Sequence, residues 1–356
     1  MGEKRTAILE GKILVIVCAY NEQDHIQKCL SSISKSINHS GAAENFQLVC
    51  IDNSSTDNTS NIAEHFNDAN VRYEYIKIAH SPLCVSRNSY KFFNNFDFVA
   101  YIDGDGSVDI CWAKYLLEIV SETKCSIVSG AVRALTHPGE NNSLWEVFYD
   151  SHLDGSTYLI GANMVFSTQF LNSIDGFPEI FPSRGDESCL LLKAKLLGKD
   201  ITIDHRPDLI AFNHFPFEYS GFFKERFFDG RRSAEMSKLW GSPLSIFLRV
   251  VLRLTRVFIS ICAVALLPFD LILSLACILV LFAAIIFDKV DFVVKIFGKA
   301  LSKSNSATTH GVFAVILGFY LFDLGYLRGL FAPNAVSKSS IFSTSKPRKL
   351  SSSSGP

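Results

Sequence analysis

Asp103 and Asp105, two carboxylates one residue apart, stand in the segment Phe98-Val99-Ala100-Tyr101-Ile102-Asp103-Gly104-Asp105-Gly106. The residues before them are apolar, so a buried strand ends where the acids begin. Two acids in a Gly-containing turn can hold a hard cation such as Mn2+ or Mg2+ and leave positions open for phosphate oxygens. A plain surface turn uses the same residue types, because Asp and Gly both favour turns. Position strengthens the chemical reading, since ligands of open parallel sheets bind at the carboxyl ends of the strands.

Two further polar clusters follow apolar runs in the same way. Ile13–Val17 leads into Cys18-Ala19-Tyr20-Asn21-Glu22, where Asn21 offers a donor and an acceptor and Glu22 an acceptor. Gln47–Ile51 leads into Asp52-Asn53-Ser54-Ser55-Thr56-Asp57-Asn58, where Asp52 and Asn53 can hydrogen-bond a base or a ribose. Each cluster alone also reads as loop polarity with a helix cap. In a parallel sheet, all three fall on one edge. Helical spacing supports such a sheet: Ile26, Leu30 and Ile33 follow the first run, and Ile62, Ala63 and Phe66 follow the second. Asp57 or Asn58 is a suitable N-cap for the second helix, and Pro82 suits the start of a third that runs through Tyr90 and Phe93. Short apolar runs alternating with helical patterns over residues 12–240 predict an α/β domain with helices packed on a mostly parallel sheet.

Together these segments resemble the inverting family 2 glycosyltransferases, whose fold is the Rossmann-like GT-A architecture. The resemblance rests on Tyr20-Asn21-Glu22, on Asp52-Asn53-Ser54-Ser55-Thr56-Asp57 and on Asp103-Gly104-Asp105. It continues through Gly161-Ala162-Asn163-Met164, Gly176-Phe177, Gly185-Asp186-Glu187 and Leu190-Leu191-Leu192-Lys193 to His214 and Gly230-Arg231-Arg232. It implies a nucleotide-sugar donor and a divalent cation, Mn2+ or Mg2+. Ala19, Asn21, Glu22, Asp52 and Asn53 are then expected around the nucleoside, and Arg87 near the ribose or diphosphate. Asp103 is expected near ribose and metal, Asp105 as the main metal ligand, and Asp186 or Glu187 as the general base.

Departures from the family pattern qualify those expectations. Cys18 replaces a common proline, Asn53 a frequent second Asp and Gly106 a frequent third acid. Asp186-Glu187 reverses the usual Glu-Asp order, which leaves the base open between them. No Q-x-x-R-W segment occurs, so transfer of one sugar is favoured over processive synthesis. A dinucleotide dehydrogenase is disfavoured, because no G-x-G-x-x-G follows the first run. A non-catalytic nucleotide-binding module is disfavoured by the retained acids. A polyprenyl-phosphate sugar transferase is the nearest alternative within the enzyme class.

The chain of 356 residues balances 34 Lys and Arg against 35 Asp and Glu, which argues against a nucleic-acid partner. Its nine cysteines lack metal-ligand spacing and several lie in apolar runs, so no disulfide framework is expected. The first ten residues lack an apolar stretch, so no cleavable leader is expected, and residues 1–11 read as a tail. From about residue 243 the composition changes. Val257–Phe287 holds one Asp and no Lys or Arg in 31 residues. Residues 243–288 are therefore expected to associate with or cross a membrane, and 312–332 to form a transmembrane helix. Asp323 should then face protein or water. Residues 289–311, with Val290, Val293, Phe297 and Leu301 on one face and lysines on the rest, suggest an interfacial helix. Arg249, Arg253 and Arg256 share one helical face suited to lipid phosphates. Ser-rich residues 333–356 read as a disordered tail. The overall expectation is an enzyme at the cytoplasmic face of the inner membrane, in contact with membrane lipids, that glycosylates an envelope glycan or a lipid-linked acceptor.

Overall fold

A computed structural model describes residues 12–90, 93–134, 159–179, 185–214, 219–240, 243–266 and 306–332. Its centre is an eight-stranded sheet in the order β3-β2-β1-β4-β7-β6-β8-β5. The strands are β1 (Ile13–Ala19), β2 (Phe46–Asp52), β3 (Arg72–Lys77), β4 (Phe98–Asp103), β5 (Gly106–Val108), β6 (Ile127–Ala134), β7 (Asn163–Ser167) and β8 (Ile203–Asn213). The first four in spatial order are parallel, β6 and β8 are also parallel, and β7 runs antiparallel to both β4 and β6. The predicted parallel sheet is thus present, extended by a mixed half.

Burial on both faces explains the continuous apolar runs. On one face Val15, Val17, Leu48 and Ala100 pack against helix α1 (Ile26–Ser40) and helix α4 (Trp112–Glu122) through Leu30, Ile33, Trp112 and Leu116. On the other, Leu14, Ile16, Val49 and Tyr101 pack against α5 (Thr168–Ser173) and α6 (Asp186–Leu196) through Phe170, Leu171, Leu190 and Leu192. Short helices α2 (Thr59–Glu64) and α3 (Leu83–Asn88) follow β2 and β3. The third predicted helix begins after Pro82 as expected but ends at Asn88, before Tyr90. Cys18, Cys29, Cys50, Cys84, Cys111, Cys125 and Cys189 are free, and Cys29, Cys50, Cys84 and Cys189 are buried.

Register brings the polar clusters together. Ala19 lies opposite Asp52, and Cys18 lies opposite Asp103, so three strand ends share one edge. Because β7 is antiparallel to β4, its first residue, Asn163, arrives opposite Ile102 at that same edge. Asn163 is fully buried. It accepts from Trp112 Nε1 at 3.1 Å and donates to the carbonyls of Ala131 and Leu209 at 2.9 and 2.7 Å. It therefore ties β6, β7, β8 and α4 to one another.

The carboxyl-terminal helices depart from the membrane expectation. Among the described residues, no helix is long and apolar enough to cross a membrane. The stretch 312–332, expected as a transmembrane helix, belongs to α9 (Ser306–Phe331), which packs along α7 (Tyr219–Trp240). Gly230 on α7 and Gly318, Gly325 and Gly329 on α9 lie where the helices approach, and a Cβ at any of them would collide with the facing helix. Asp323 is buried and faces protein, paired at 3.1 Å with both Arg253 and Arg256 of α8 (Pro243–Leu266). Those two arginines therefore do not present the expected lipid-facing row. Buried charge needs a partner, and Asp323 is that partner. The expected tails at 1–11 and 333–356 lie outside the described residues, as do 267–305, which hold most of the first long apolar run and of the interfacial-helix segment.

Replacing Asp323 with Ala leaves two guanidinium groups without their buried carboxylate. We expect a loss of about 3–5 kcal/mol in urea unfolding. An unchanged midpoint would show that the ion pairs do not hold α8 and α9 in place.

Candidate active site

The three strand-end loops are hydrogen-bonded to one another. Asn21 sits in the left-handed region (φ 56°), which Asn tolerates better than most residues. Its Oδ1 accepts from the Thr56 amide at 2.8 Å, and its own amide donates to Ser55 Oγ at 3.0 Å. The Glu22 amide donates to Thr59 Oγ1 at 2.7 Å. Gly104 approaches β1 closely: a Cβ there would lie 3.0 Å from the Cys18 carbonyl oxygen. The turn that carries Asp103 and Asp105 is thereby set against the end of β1.

A cleft of about 700 Å³ opens at this edge. Of the sequence-derived candidates, Ala19, Glu22, Asn53, Arg87, Asp103, Asp105, Asp186 and Glu187 line it. Asn21 and Asp52 are not in the lining. Asp52 is fully buried and accepts from the Ser55 amide and the Tyr75 hydroxyl, each at 2.9 Å, and from the Ser60 hydroxyl. Burial opposes its charge, but the Ser55, Ser60 and Tyr75 hydrogen bonds outweigh it and keep the carboxyl below its ordinary value. Asn53 reaches the cleft, yet its side chain is bonded to Ser81, donating to the carbonyl at 2.8 Å and accepting from the amide at 2.9 Å.

Arg87 crosses the floor of the cleft. It is 3% exposed and pairs with Asp103 at 3.1 Å, with Asp186, and with the Gly161 carbonyl at 3.2 Å. Burial works against its charge, but Asp186 and then Asp103 overcome it and hold the guanidinium more firmly protonated than usual. Gly185, at φ 94°, turns the chain into α6 so that Asp186 and Glu187 fall in its first turn. Acids are favoured there by the helix dipole. Asp186 is committed to Arg87. Burial, and after it the Asp186 carboxylate, pushes Glu187 above the ordinary carboxylate range.

Negative charge also gathers on the metal side. Glu22 is raised to about 7, first by burial and then by Asp103, Asp57 and Asp24. No group of three or more His, Cys, Asp or Glu suited to a metal occurs among the described residues. Asp103 and Asp105 are the cleft residues that would hold a divalent cation. Burial is the larger cause of the raised Glu22, and the neighbouring acids add to it.

Part of the lining comes from residues that the sequence patterns left unassigned. Glu225, Asp229, Ser233 and Met236 of α7 line the cleft, as does Asn213, together with Gly161 of the Gly161-Ala162-Asn163-Met164 segment. Arg232 faces the cleft, whereas Arg231 pairs with Glu235 at 3.7 Å on the outer side of α7. His214 stacks on His25, with ring centroids 4.1 Å apart. The helical spacing of α7 alone held the signal, and it does not say which face meets the sheet.

Comparison with known proteins gives a consistent family. Residues 14–164 match the family described as Glycosyl transferase family 2. Glycosyltransferase GlyA of Streptococcus pneumoniae is 26% identical over 123 residues, 35% of this chain and 17% of that protein. Glycosyltransferase AglE of Haloferax volcanii is 28% identical over 127 residues, 35% of this chain and 40% of that protein. The matches thus span less than half the length of either relative. A solved structure of the mannosyltransferase PcManGT from Pyrobaculum calidifontis, in complex with GDP-Man and Mn2+, shares the fold. It superposes with a TM-score of 0.50 at 16% identity and covers 90% of this chain and 87% of that one.

Two tests follow from the charges. Arg87→Met strands Asp186 in the interior and should cost about 3–5 kcal/mol in urea unfolding, with Arg87→Met/Asp186→Leu recovering much of that loss. Equal stability of the single variant and wild type would contradict the pairing. Glu22 has a raised folded-state pKa, so the stability it contributes is full below 4.5 and lost as pH rises through about 7. In chelator, Glu22→Gln should therefore raise Tm at pH 8 by roughly 2–4 °C, for about 1 kcal/mol of relieved charge. At pH 5 the difference should shrink, and a difference independent of pH would rule the linkage out.

Proposed function

We propose, from the premise that this chain is a family 2 glycosyltransferase, that it transfers one sugar from a nucleoside diphosphate sugar to an acceptor hydroxyl with inversion at the anomeric carbon. The observation that carries this reading is the meeting of Asp103, Asp105 and Glu187 in one cleft, where Arg87 ties Asp103 to Asp186.

The donor's diphosphate belongs beside Asp103 and Asp105, which would hold a divalent cation. That cation supplies Lewis-acid stabilisation of charge growing on the leaving diphosphate. The nucleoside lies along Ala19, Glu22 and Asn53, beside the exposed Tyr20 ring. Glu187 is the general base: it accepts the proton of the attacking hydroxyl while the sugar–phosphate bond breaks. A carboxyl raised above its ordinary value is better matched to this proton transfer than one held low. Asp186 is a positioning residue, since its carboxylate is bound to Arg87.

A location against a membrane is supported by α8. Leu244, Phe247, Leu248, Val251 and Phe258 form an exposed apolar stripe, opposite the arginines that turn inward. Such a helix suits the plane of a lipid surface better than a crossing of it. An acceptor displayed at that surface, an envelope glycan or a lipid-linked sugar, would meet the cleft on the Glu187 side.

Glu187→Gln should lower kcat by roughly 10²–10⁴-fold with little change in donor KM. Asp105→Ala should abolish turnover stimulated by manganese. Full activity of Glu187→Gln, together with loss in Asp186→Asn, would move the base to Asp186. Full wild-type activity in excess chelator would defeat the metal assignment.

A further inference from the structure

Two side chains from different helices grip one turn. The turn is Asp175-Gly176-Phe177, in which Asp175 (φ 55°) and Gly176 (φ 60°) are both left-handed. Asn88 stands next to Arg87 at the end of α3. Its Oδ1 accepts from the Phe177 amide at 2.9 Å, and its Nδ2 donates to the Phe177 carbonyl at 2.8 Å. One side-chain amide thus pairs with both backbone groups of Phe177, as a neighbouring strand would. Gly176 permits the approach, since a Cβ there would lie 2.6 Å from Asn88 Oδ1.

Lys193 reaches the same turn from α6. Its Nζ donates to the Asp175 carbonyl at 2.8 Å and to the Gly176 carbonyl at 3.2 Å. The side chain is buried, and burial pulls its pKa below the ordinary lysine value, against Asp175 and then Glu179. A hydrophobe of the same length would suit burial better. What the ammonium adds is its hold on two carbonyls. Lys193 lies about two turns after Asp186 on α6, and both are buried.

The gripped residue carries a ring against which Arg87 rests. Phe177 is fully buried, with its ring centroid 5.6 Å from the Arg87 guanidinium carbon and 5.4 Å from the Tyr101 ring. The Tyr101 ring lies 5.9 Å from the same carbon, and its hydroxyl donates to the Arg87 carbonyl at 3.2 Å. A guanidinium is attracted to aromatic rings at such distances. Rings and carboxylates together fix where the guanidinium sits.

We propose that Asn88 and Lys193 are positioning residues for the transfer, acting through Phe177 to hold Arg87 against Asp186. Neither lines the cleft, so neither is a catalytic residue. Their grip ties α3, which ends in Arg87-Asn88, to α6, which opens with Asp186-Glu187. A shift of the turn moves Phe177, then Arg87, and then the acid pair. A misplacement of about 1 Å at a reacting group can cost roughly 10²-fold in rate. This rests on the transferase reading above, with Glu187 as the base.

The test reads Arg87 and the reaction separately. NMR of the arginine side-chain N–H groups in the full chain follows exchange of the Arg87 guanidinium protons, assigned by their absence in Arg87→Met/Asp186→Leu. Asn88→Ala should speed that exchange at least about five-fold, the factor that one hydrogen bond is worth. Lys193→Met should do the same, whereas Lys193→Arg, which keeps donors for both carbonyls, should stay near wild type. Unchanged exchange in Asn88→Ala or in Lys193→Met would overturn the role of that residue, as would equal effects of the two lysine variants. Those lysine variants decide the matter if Asn88→Ala does not fold.

Release of UDP from UDP-GlcNAc, or of GDP from GDP-mannose, with manganese present gives the second readout. In Asn88→Ala, kcat should fall roughly 10- to 10²-fold while donor KM stays within about three-fold. A loss confined to KM would overturn the positioning role. In a Phe177→Leu background the kcat cost of Asn88→Ala should shrink below about three-fold, because the ring it seats is gone. Costs that multiply would show that Asn88 does not act through Phe177. If wild type releases neither nucleotide, the fault lies in the transferase reading, and the exchange still decides the grip.

Discussion

A guanidinium stays charged at any pH a folded protein experiences, so burying one obliges the surrounding structure to supply anions. Arg87 is buried in the cleft, and its anions come from two separate segments: Asp103 from the end of β4 and Asp186 from the start of α6. The spacing between those two segments is therefore tied to one side chain. That same pairing separates the two adjacent acids of α6. Asp186 is neutralised by Arg87, and Glu187, one residue on, is left in a half-buried place where its charge is disfavoured.

The same solution recurs away from the cleft. Asp323 sits between α8 and α9 with two arginines around it, while glycines on α7 and α9 let those helices meet backbone to backbone. This fixes α7 across the sheet edge with Arg232, Ser233 and Met236 facing inward. Helices that composition assigns to a lipid environment thus brace the helix that walls a polar site. Inward charge and outward apolar surface on α8 go together, because Asp323 holds the face that carries Arg253 and Arg256 inward.

Asp52 and Asn53 show how a polar motif is divided between support and function. Asp52 gathers the Ser55, Ser60 and Tyr75 donors beneath the loop, and Asn53 binds Ser81. Their hydrogen-bonding capacity shapes the loop, beside which Ala19 and Tyr20 line the cleft. Asn163 plays a similar part on the other side, where its amide joins three strands to Trp112.

Local sequence determined the strands β1, β2 and β4, the polar clusters at their ends and the common edge on which those clusters lie. Apolar runs and the turn chemistry of Asp, Asn and Gly are properties of neighbouring residues, and parallel pairing follows from them. It also singled out Asp103 and Asp105, because acids in a Gly-containing turn are visible in a string, whereas Asp186 and Glu187 came only from the family resemblance. Tertiary structure alone decided which of these face the cleft, that Asp52 turns inward, that Arg87 spends its charge on Asp186, and that Arg232 rather than Arg231 reaches the site. It alone also turned Arg253 and Arg256 towards Asp323, across 67 residues for the hydrogen-bonded Arg256 pair. Ion pairs between distant segments leave no mark in spacing, because either partner alone reads as an ordinary surface charge. Their effect appears only when the chain has closed and water has left the space between them.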